Sequence, residues 1–208
     1  YTIHFLIFQN LIQHLEQVCY LLFLCQNQRN CTSQMRQLNY LNEVQHTYNY
    51  SSLHKKAKRN YLDRMINKKV KNMVIAKKYS KLYWDGSRST GYGGYKYIKN
   101  YWKPVAEKLI KIYKLNGNSK ILDIGCGKAF LLYEIKKIIP NISIKGIDVS
   151  NYAIRNSPKK ISKYLKVHNV KKKFPFNSKE FDLAFSFGCV HNLKIFDLEK
   201  CLNEFTRV

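Results

Sequence analysis

The stretch ILDIGCGKAF, residues 121–130, joins a short apolar run, two glycines and the start of a helical pattern. Asp123, Gly125 and Gly127 form a D-x-G-x-G motif at the end of the predicted strand. Glycines here let the backbone turn tightly and approach a ligand without Cβ collisions. The next helix offers free N–H groups at its start, whereas the Asp123 carboxylate favours a positively charged ligand group. We therefore predict a ligand site at this strand end.

Strands and helices alternate along the second half of the chain. The predicted strands are residues 119–124, 142–148, 162–169 and 181–187, and the predicted helices are about 128–138, 151–157 and 197–206. This alternation predicts βαβ units and a parallel sheet, and hence an α/β fold. Right-handed crossovers place the loops that follow the strands at one edge, where such sheets bind ligands.

Two more strand ends carry candidate binding residues. Asp148 ends the second strand, in GIDVS (146–150), where an acid accepts hydrogen bonds from both ribose hydroxyls of a nucleoside. The alternative role of a strand-end Asp is to cap the next helix. After the third strand, the side-chain oxygen of Asn169 suits an adenine amino group, and the Val170 N–H suits a ring nitrogen.

The spacing around the glycines disfavours a dinucleotide-binding dehydrogenase. The phosphate fingerprint is G-x-G-x-x-G, with a small third residue that allows close helix–strand packing. In this chain Phe130 occupies the third position. A nicotinamide-dependent enzyme is therefore the least favoured interpretation.

The motifs in combination resemble the class I S-adenosylmethionine-dependent methyltransferases, in particular the small type 11 domain. The resemblance covers about residues 119–208 and rests on LDIGCGKAFLLYEI (122–135), KGIDVS (145–150) and FDLAFSFGCVHNL (181–193). The stretches RNYLDRM (59–65) and YWDGSRSTGYGGYKY (83–97) are similar to a bacterial subgroup often encoded near surface-polysaccharide genes, which extends the likeness to about residue 53.

The resemblance implies a Rossmann-like sheet and transfer of a methyl group from S-adenosyl-L-methionine. It also implies that Asp123 and the loop with Gly125 and Gly127 face the methionine part of this cofactor, Asp148 the ribose, and Asn169 with Val170 the adenine. Two positions depart from the family. Ala129 stands for the third glycine of the loop, and Asn169 stands for an Asp, which keeps an acceptor but loses a charge. We expect weaker cofactor binding from these changes.

Catalysis requires positioning of the acceptor and, for an oxygen nucleophile, a base. The candidate base is His191, just past the fourth strand, because histidine has a suitable pKa for general-base work. The alternative is that His191 only packs against or caps the next helix. No group of residues has the spacing of a metal site, and the cysteines contain no C-x-x-C pair.

Residues 83–97, which we call the aromatic lid, combine aromatic side chains with Gly91, Gly93 and Gly94. We predict that this segment folds over the pocket and that Tyr92 contacts the cofactor. The side chains that could reach the cofactor or the acceptor are Tyr83, Trp84, Arg88, Tyr92 and Tyr95. Two alternatives stay open: the aromatic residues pack a preceding helix onto the sheet, or they stack on bases of an RNA acceptor.

The formal net charge of +24 lies wholly in residues 55–208, because residues 1–54 are neutral. Evenly spread lysines with abundant Asn, Ile and Tyr favour biased codon usage over a nucleic-acid surface, since phosphate-binding surfaces concentrate arginine. The apolar runs near the start are too short to span a bilayer, and no basic region precedes a cleavage site. Cysteine usage indicates a reducing, cytoplasmic compartment.

The predicted organisation has three parts. Residues 1–52 form an N-terminal extension with an amphipathic helix over roughly 8–25, and residues 53–103 contain a helix over 53–83 and the aromatic lid. A further helix is predicted to start at about Pro104 and to end before Gly117. Residues 104–208 form a partial methyltransferase domain that we expect to be truncated, since four of the family's seven strands are present. That truncation predicts an uncovered edge at the fourth strand.

The function predicted from these observations is S-adenosylmethionine-dependent methylation of a small-molecule or sugar acceptor. Two alternatives are kept. One is an RNA methyltransferase, and the other is a module that binds the cofactor or a partner protein without transferring methyl.

Overall fold

A computed structural model describes residues 22–26 and 68–208. The helices are α1 (Lys69–Ala76), α2 (Lys81–Trp84), α3 (Lys103–Ile112), α4 (Phe130–Ile138), α5 (Asn151–Arg155) and α6 (Ile195–Arg207). The strands are β1 (Leu22–Gln26), β2 (Lys120–Ile124), β3 (Ser143–Asp148), β4 (Leu165–Val167) and β5 (Leu183–Phe187). Single 3-10 turns occupy Ser162–Tyr164 and Val190–Asn192.

The strands form one sheet in the order β1-β5-β2-β3-β4. Strands β5, β2, β3 and β4 are parallel, as predicted. Asp123 of β2 lies opposite Gly146 of β3, and Asp148 at the end of β3 lies opposite Val167 of β4. This register brings the ends of three strands, with their candidate binding residues, to the same edge of the sheet.

Apolar side chains alternate between the two faces of the sheet and build a core on each. Ile121 of β2 joins a cluster with residues of α3 and α4, whereas Leu122 joins a cluster with residues of β5 and α6. Each fully buried Leu or Ile contributes about 1.5–3 kcal/mol to stability. Both cores hold β2 rigidly, so the loop that follows it has a fixed base.

The edge of β5 is covered, which corrects the expectation of an uncovered edge. Strand β1 pairs antiparallel with β5, from Leu22 opposite Phe187 to Gln26 opposite Leu183. The predicted helix over 8–25 is therefore wrong for residues 22–25, and its residues 8–21 lie outside the described part of the chain. Short apolar runs fit helical and extended periodicity equally well, and the unpaired backbone groups of β5 favour the strand.

Several boundaries differ from the prediction. The helix predicted up to residue 83 is interrupted, because Tyr79 adopts a left-handed conformation with φ of 47° between α1 and α2. Its portion over 53–67, like the domain boundary at residue 52, lies outside the described residues. After α3, Lys114 rather than Gly117 takes the left-handed position, with φ of 50°. The third predicted strand contains a 3-10 turn and only three extended residues.

Within residues 22–26 and 68–208, no helix is both long and apolar enough to cross a membrane.

Candidate active site

The loop after β2, residues 125–129, is packed so tightly that two of its positions require glycine. The N–H of Gly125 donates to the carbonyl of Ile147 at 2.8 Å, and φ is 79° at Gly125 and 56° at Gly127. A Cβ atom on Gly125 would lie 2.2 Å from Cβ of Cys189, and one on Gly127 would lie 2.8 Å from Cη2 of Trp84. The tight turn that the D-x-G-x-G motif predicted is therefore present, and we call residues 125–129 the glycine loop.

Asp148 holds the glycine loop against the end of β3. One carboxylate oxygen accepts from the N–H of Gly127 at 2.8 Å, and the other accepts from the N–H of Ser150 at 2.7 Å. Burial raises the pKa of Asp148, and the two backbone hydrogen bonds oppose that rise. Each oxygen keeps acceptor capacity for a further donor. The helix cap itself is Ser150, whose hydroxyl accepts from the N–H of Ala153, so capping does not occupy Asp148.

Asp123 is the second buried carboxylate at this edge. Its side chain is 4% exposed, and its Oδ1 atom has no hydrogen-bond partner among the described residues. Burial, and then the nearby charge of Asp148, raise the pKa of Asp123 well above its ordinary value. An unsatisfied buried carboxylate oxygen is rare and requires an explanation. A ligand with a positively charged donor would satisfy it.

The end of β4 completes this edge of the sheet. The N–H of His168 donates to the carbonyl of Asp148 at 2.8 Å, which places the next two residues beside β3. The side-chain oxygen of Asn169 accepts from the N–H of Lys171 at 3.0 Å, and Val170 is buried in the second core. Sequence reasoning passed over His168, whose Nε2 atom is buried without a partner in the part of the chain that the structure describes.

His191 lies in the 3-10 turn after β5, two residues beyond the Cys189 that contacts Gly125. Its side chain is exposed at the surface. Desolvation lowers the pKa of His191 below its usual value, so the imidazole is neutral at pH 7. A neutral imidazole is the form that accepts a proton.

The aromatic lid packs directly over the glycine loop. The indole N–H of Trp84 donates to the hydroxyl of Ser150 at 2.8 Å and to the carbonyl of Tyr79 at 3.2 Å. The ring of Tyr92 stacks on Trp84 with an interplanar angle of 4° and 5.2 Å between centroids, and Tyr95 lies 5.4 Å from the same indole. Trp84 is therefore enclosed by lid residues on one side and by Gly127 on the other.

The tyrosine hydroxyls of the lid are buried near Asp148. Burial, then Tyr79 and Asp148, raise the pKa of Tyr83 to about 12. Burial, then Tyr83 and Asp148, also raise the pKa of Tyr92. Both hydroxyls stay protonated, and they are hydrogen-bonded to each other. Arg88 donates to the carbonyl of Tyr92 at 2.7 Å, so its guanidinium supports the lid from within.

Lys128 is a residue of this site that sequence reasoning missed. Its ammonium group donates to both carboxylate oxygens of Asp85, at 2.9 and 2.8 Å, and to the carbonyl of Tyr95 at 2.7 Å. Burial alone would raise the pKa of Asp85, but hydrogen bonds from Lys128, Tyr152 and the Tyr95 N–H outweigh it and lower the pKa. The only sequence signal was a lysine inside the glycine loop and an acid inside the lid.

Among the described residues, no three His, Cys, Asp or Glu side chains come together as metal ligands.

Comparison with known families matches residues 121–208 to the family described as "Methyltransferase domain". Residues 121–208 are therefore similar to a methyltransferase domain. The matched residues include the glycine loop, Asp148, Asn169 and His191. The aromatic lid precedes the matched segment.

Solved structures of similar fold include three methyltransferase-related proteins. A Methanococcus maripaludis protein classed as an S-adenosyl-L-methionine-dependent methyltransferase has 22% identity and a TM-score of 0.45, over 51% of this chain and 49% of that chain. A SAM-dependent methyltransferase from Aquifex aeolicus has 22% identity and a TM-score of 0.41, over 54% and 68%. A phosphoethanolamine N-methyltransferase from Haemonchus contortus has 17% identity and a TM-score of 0.44, over 73% and 34%.

The chain spans about half the length of the Methanococcus maripaludis protein and about a third of the Haemonchus contortus protein. No curated protein sequence matches the chain. The match to the methyltransferase domain family is therefore what carries the assignment.

Proposed function

We propose that the protein transfers a methyl group from S-adenosyl-L-methionine to an oxygen or nitrogen atom of a small-molecule or sugar acceptor. The observation that carries this proposal is the pair of buried carboxylates at one sheet edge, Asp123 and Asp148, on either side of a loop that only glycine can build. A phosphate ligand would be repelled by this pair, whereas a cationic nucleoside would be attracted.

The residues present fit the cofactor. The unsatisfied oxygen of Asp123 suits the ammonium and sulfonium charges of the methionine part. The spare acceptor capacity of Asp148 suits the ribose hydroxyls, and we assign Asn169 and Val170, which follow β4, to the adenine. When bound, the cofactor supplies an electrophilic methyl group on its sulfonium. The protein's part is then to orient the acceptor, exclude water and remove a proton.

Two further groups fit these tasks. Trp84 and Tyr92 cover the glycine loop with apolar rings, which excludes water from this end of the site. His191 offers a neutral, exposed imidazole to a hydroxyl or amine of the acceptor. A neutral acceptor is favoured, because the two carboxylates would repel an anionic one.

The first test is calorimetric titration of S-adenosyl-L-methionine into the full chain, with NAD as the control ligand. We expect binding of the first ligand only, and its loss in Asp148→Ala. The matched control is Asp182→Ala, which removes an exposed carboxylate that accepts from the Lys120 N–H at the opposite end of the sheet. Absence of binding by folded wild-type protein would overturn the proposal.

The second test concerns His191. If it is the base, His191→Ala lowers kcat by about 10²–10⁴-fold with unchanged cofactor affinity. The acidic limb of the wild-type pH–rate profile then falls at a pH below about 6.5, because the pKa is lowered. Turnover near the wild-type rate would remove the base role. Tight cofactor binding without turnover of any acceptor would instead favour a non-catalytic binding module.

One observation favours RNA as a second candidate acceptor. A groove of about 640 Å³ beside β4 is lined by Lys145, Lys163 and Lys166 together with the rings of Tyr164 and Phe176. Lysines beside aromatic rings are typical of single-stranded nucleic-acid sites. Binding of a uridine oligonucleotide, measured against salt, tests this candidate. If RNA binds here, the logarithm of the affinity falls against the logarithm of the salt concentration with a slope of about −0.7 per phosphate contact. The three Lys→Gln changes should reduce the affinity.

A further inference from the structure

We propose that the ion pair between Lys128 and Asp85 keeps the aromatic lid closed over the glycine loop, and that breaking this pair speeds release of the cofactor. This role makes Lys128 and Asp85 positioning residues. The claim that the lid is held closed rests on the contacts of the lid. The claim about cofactor release rests in addition on the proposed function.

The contacts of Lys128 satisfy its ammonium group completely. The side chain of Lys128 is 5% exposed. A lysine ammonium has three hydrogen-bond donors, and three acceptors lie within 2.9 Å: both carboxylate oxygens of Asp85 and the carbonyl of Tyr95. All three acceptors belong to the lid. Because Lys128 itself lies between Gly127 and Ala129, its cation joins the lid to the backbone that forms the ligand site.

Asp85 connects a third segment to the same pair. Its carboxylate accepts from the hydroxyl of Tyr152 in α5 at 2.8 Å and from the N–H of Tyr95 at 3.0 Å. Asp85 directly follows Trp84, whose indole lies against Gly127. Release of Asp85 would therefore free Trp84, the lid side chain that lies against Gly127.

The lid has two further attachments: the Tyr97 hydroxyl donates to the Glu134 carboxylate at the end of the lid, and Trp84 makes a neutral contact beside the glycine loop. The indole of Trp84 donates to the Ser150 hydroxyl at 2.8 Å. Hydrogen bonds between charged groups are roughly twice as strong as neutral ones. The ion pair is thus stronger than the Trp84–Ser150 hydrogen bond, and its loss has the larger expected effect on lid closure over the glycine loop.

The two partners differ in burial, which predicts an asymmetry between variants. The side chain of Asp85 is 21% exposed and keeps Tyr152 and the Tyr95 N–H when Lys128 is removed. In Asp85→Asn, Lys128 would keep neutral partners, the Tyr95 carbonyl and the Tyr152 ring at 5.6 Å, but no counter-charge, and it is almost wholly buried. Leaving a buried charge unpaired is strongly unfavourable. Asp85→Asn should therefore open the lid more than Lys128→Met does.

The structural part is tested without any ligand. The chain contains two tryptophans, so Trp102→Phe leaves Trp84 as the only indole. In this background we measure acrylamide quenching of Trp84 fluorescence. Quenching should increase several-fold in Lys128→Met and further in Asp85→Asn. It should stay at the background level in Lys128→Arg and in Lys103→Met, a control that breaks the exposed Lys103–Glu107 pair.

The functional part is tested by stopped-flow release of S-adenosylhomocysteine. Lys128→Met should raise the dissociation rate about tenfold or more, with a smaller effect on association. Lys128→Arg should restore slow release. If a single variant does not fold, the Lys128→Met/Asp85→Asn double variant removes both charges and should show the same fast release.

Unchanged quenching and release in every folded variant would overturn the proposal. Increased quenching with unchanged release would also overturn it, since the lid would then open without affecting the ligand. If wild-type protein binds neither cofactor nor product, the proposed function fails by itself. The quenching series still decides whether the ion pair closes the lid.

Discussion

The two sides of the candidate site, the glycine loop and the aromatic lid, are held in place by different kinds of contact. The loop takes its shape from backbone hydrogen bonds to Ile147 and to the Asp148 carboxylate, and from glycines at positive φ. The lid is positioned by side chains, such as Trp84 on Ser150 and Asp85 on Lys128, that meet residues about 40 to 70 positions away in sequence. The loop thus depends on glycine conformation and on contacts with the neighbouring strand, whereas the lid depends on side chains from more distant segments.

The largest expected effect is on the loop side, from Gly125→Ala. The added Cβ would meet Cys189 at 2.2 Å in a left-handed backbone conformation. The conformation costs about 1–2 kcal/mol, and overpacking costs about 1–3 kcal/mol more. We expect a loss of roughly 2–5 kcal/mol in the free energy of unfolding, measured by urea denaturation, together with loss of cofactor binding.

Gly94→Ala is the matched control from the lid. Gly94 has φ of 104°, but a Cβ added there would meet nothing within 4 Å. Gly94→Ala should therefore lower the free energy of unfolding only by the cost of the left-handed backbone conformation. A second check is Cys189→Gly, which removes the colliding atoms and should recover part of the stability lost in Gly125→Ala. Equal losses in the two glycine variants would contradict the role of the close approach.

An intermediate effect is expected on the lid side, from Trp84→Phe. This change keeps an aromatic ring for Tyr92 but removes the indole N–H, which leaves the buried Ser150 hydroxyl with one donor fewer. We expect a loss of about 1–2 kcal/mol in the free energy of unfolding. Ser150→Ala should cause a similar loss, and the double variant should lose less than the sum. Strict additivity in this double-mutant cycle would show that the two groups do not interact.

The smallest effect is expected from Asp123→Asn, which should change stability and cofactor binding in opposite directions. Burial raises the pKa of Asp123 in the folded protein, so between the unfolded and folded pKa values the folded state binds one more proton. Stability from this group is then greatest below the unfolded pKa of about 3.9 and decreases as pH rises through the folded pKa. Asp123→Asn abolishes this decrease.

Asp123→Asn should therefore be somewhat more stable than wild type at neutral pH. The difference should shrink as the pH is lowered. The same variant should bind S-adenosyl-L-methionine more weakly, since the carboxylate facing the cation is gone. Thermal unfolding at several pH values and calorimetric titration measure both effects. A variant that is less stable than wild type at all pH values would contradict the assignment.

The parts of the fold with a clear hydrophobic period were predictable from sequence. The parallel strands at Ile121, Ile144 and Leu183 were confirmed, and so was the meeting of their carboxyl ends at one edge. The strand β1 was not predicted, because its five residues carry no period that distinguishes a strand from a helix. The break at Tyr79 was missed because nothing in the local sequence demands a left-handed residue there.

The candidate site divides in the same way. The places of Asp123, Gly125, Gly127 and Asp148 at strand ends could be predicted from sequence. Their assignment to cofactor binding stays a prediction. The assignments of Asn169, Val170 and Tyr92 to cofactor binding, and of His191 to catalysis, stay predictions. Lys128 was overlooked because a lysine in a lysine-rich chain carries no local signal of burial.

By itself, then, the sequence determined the parallel sheet and the glycine loop, because periodicity and glycine conformation act over a few residues. Only the tertiary structure decided that Lys128 is buried against Asp85, that Trp84 covers Gly127, and that Asp123 keeps an unsatisfied oxygen. Burial and ion pairing depend on which distant segments meet, and that is set by packing of the whole fold.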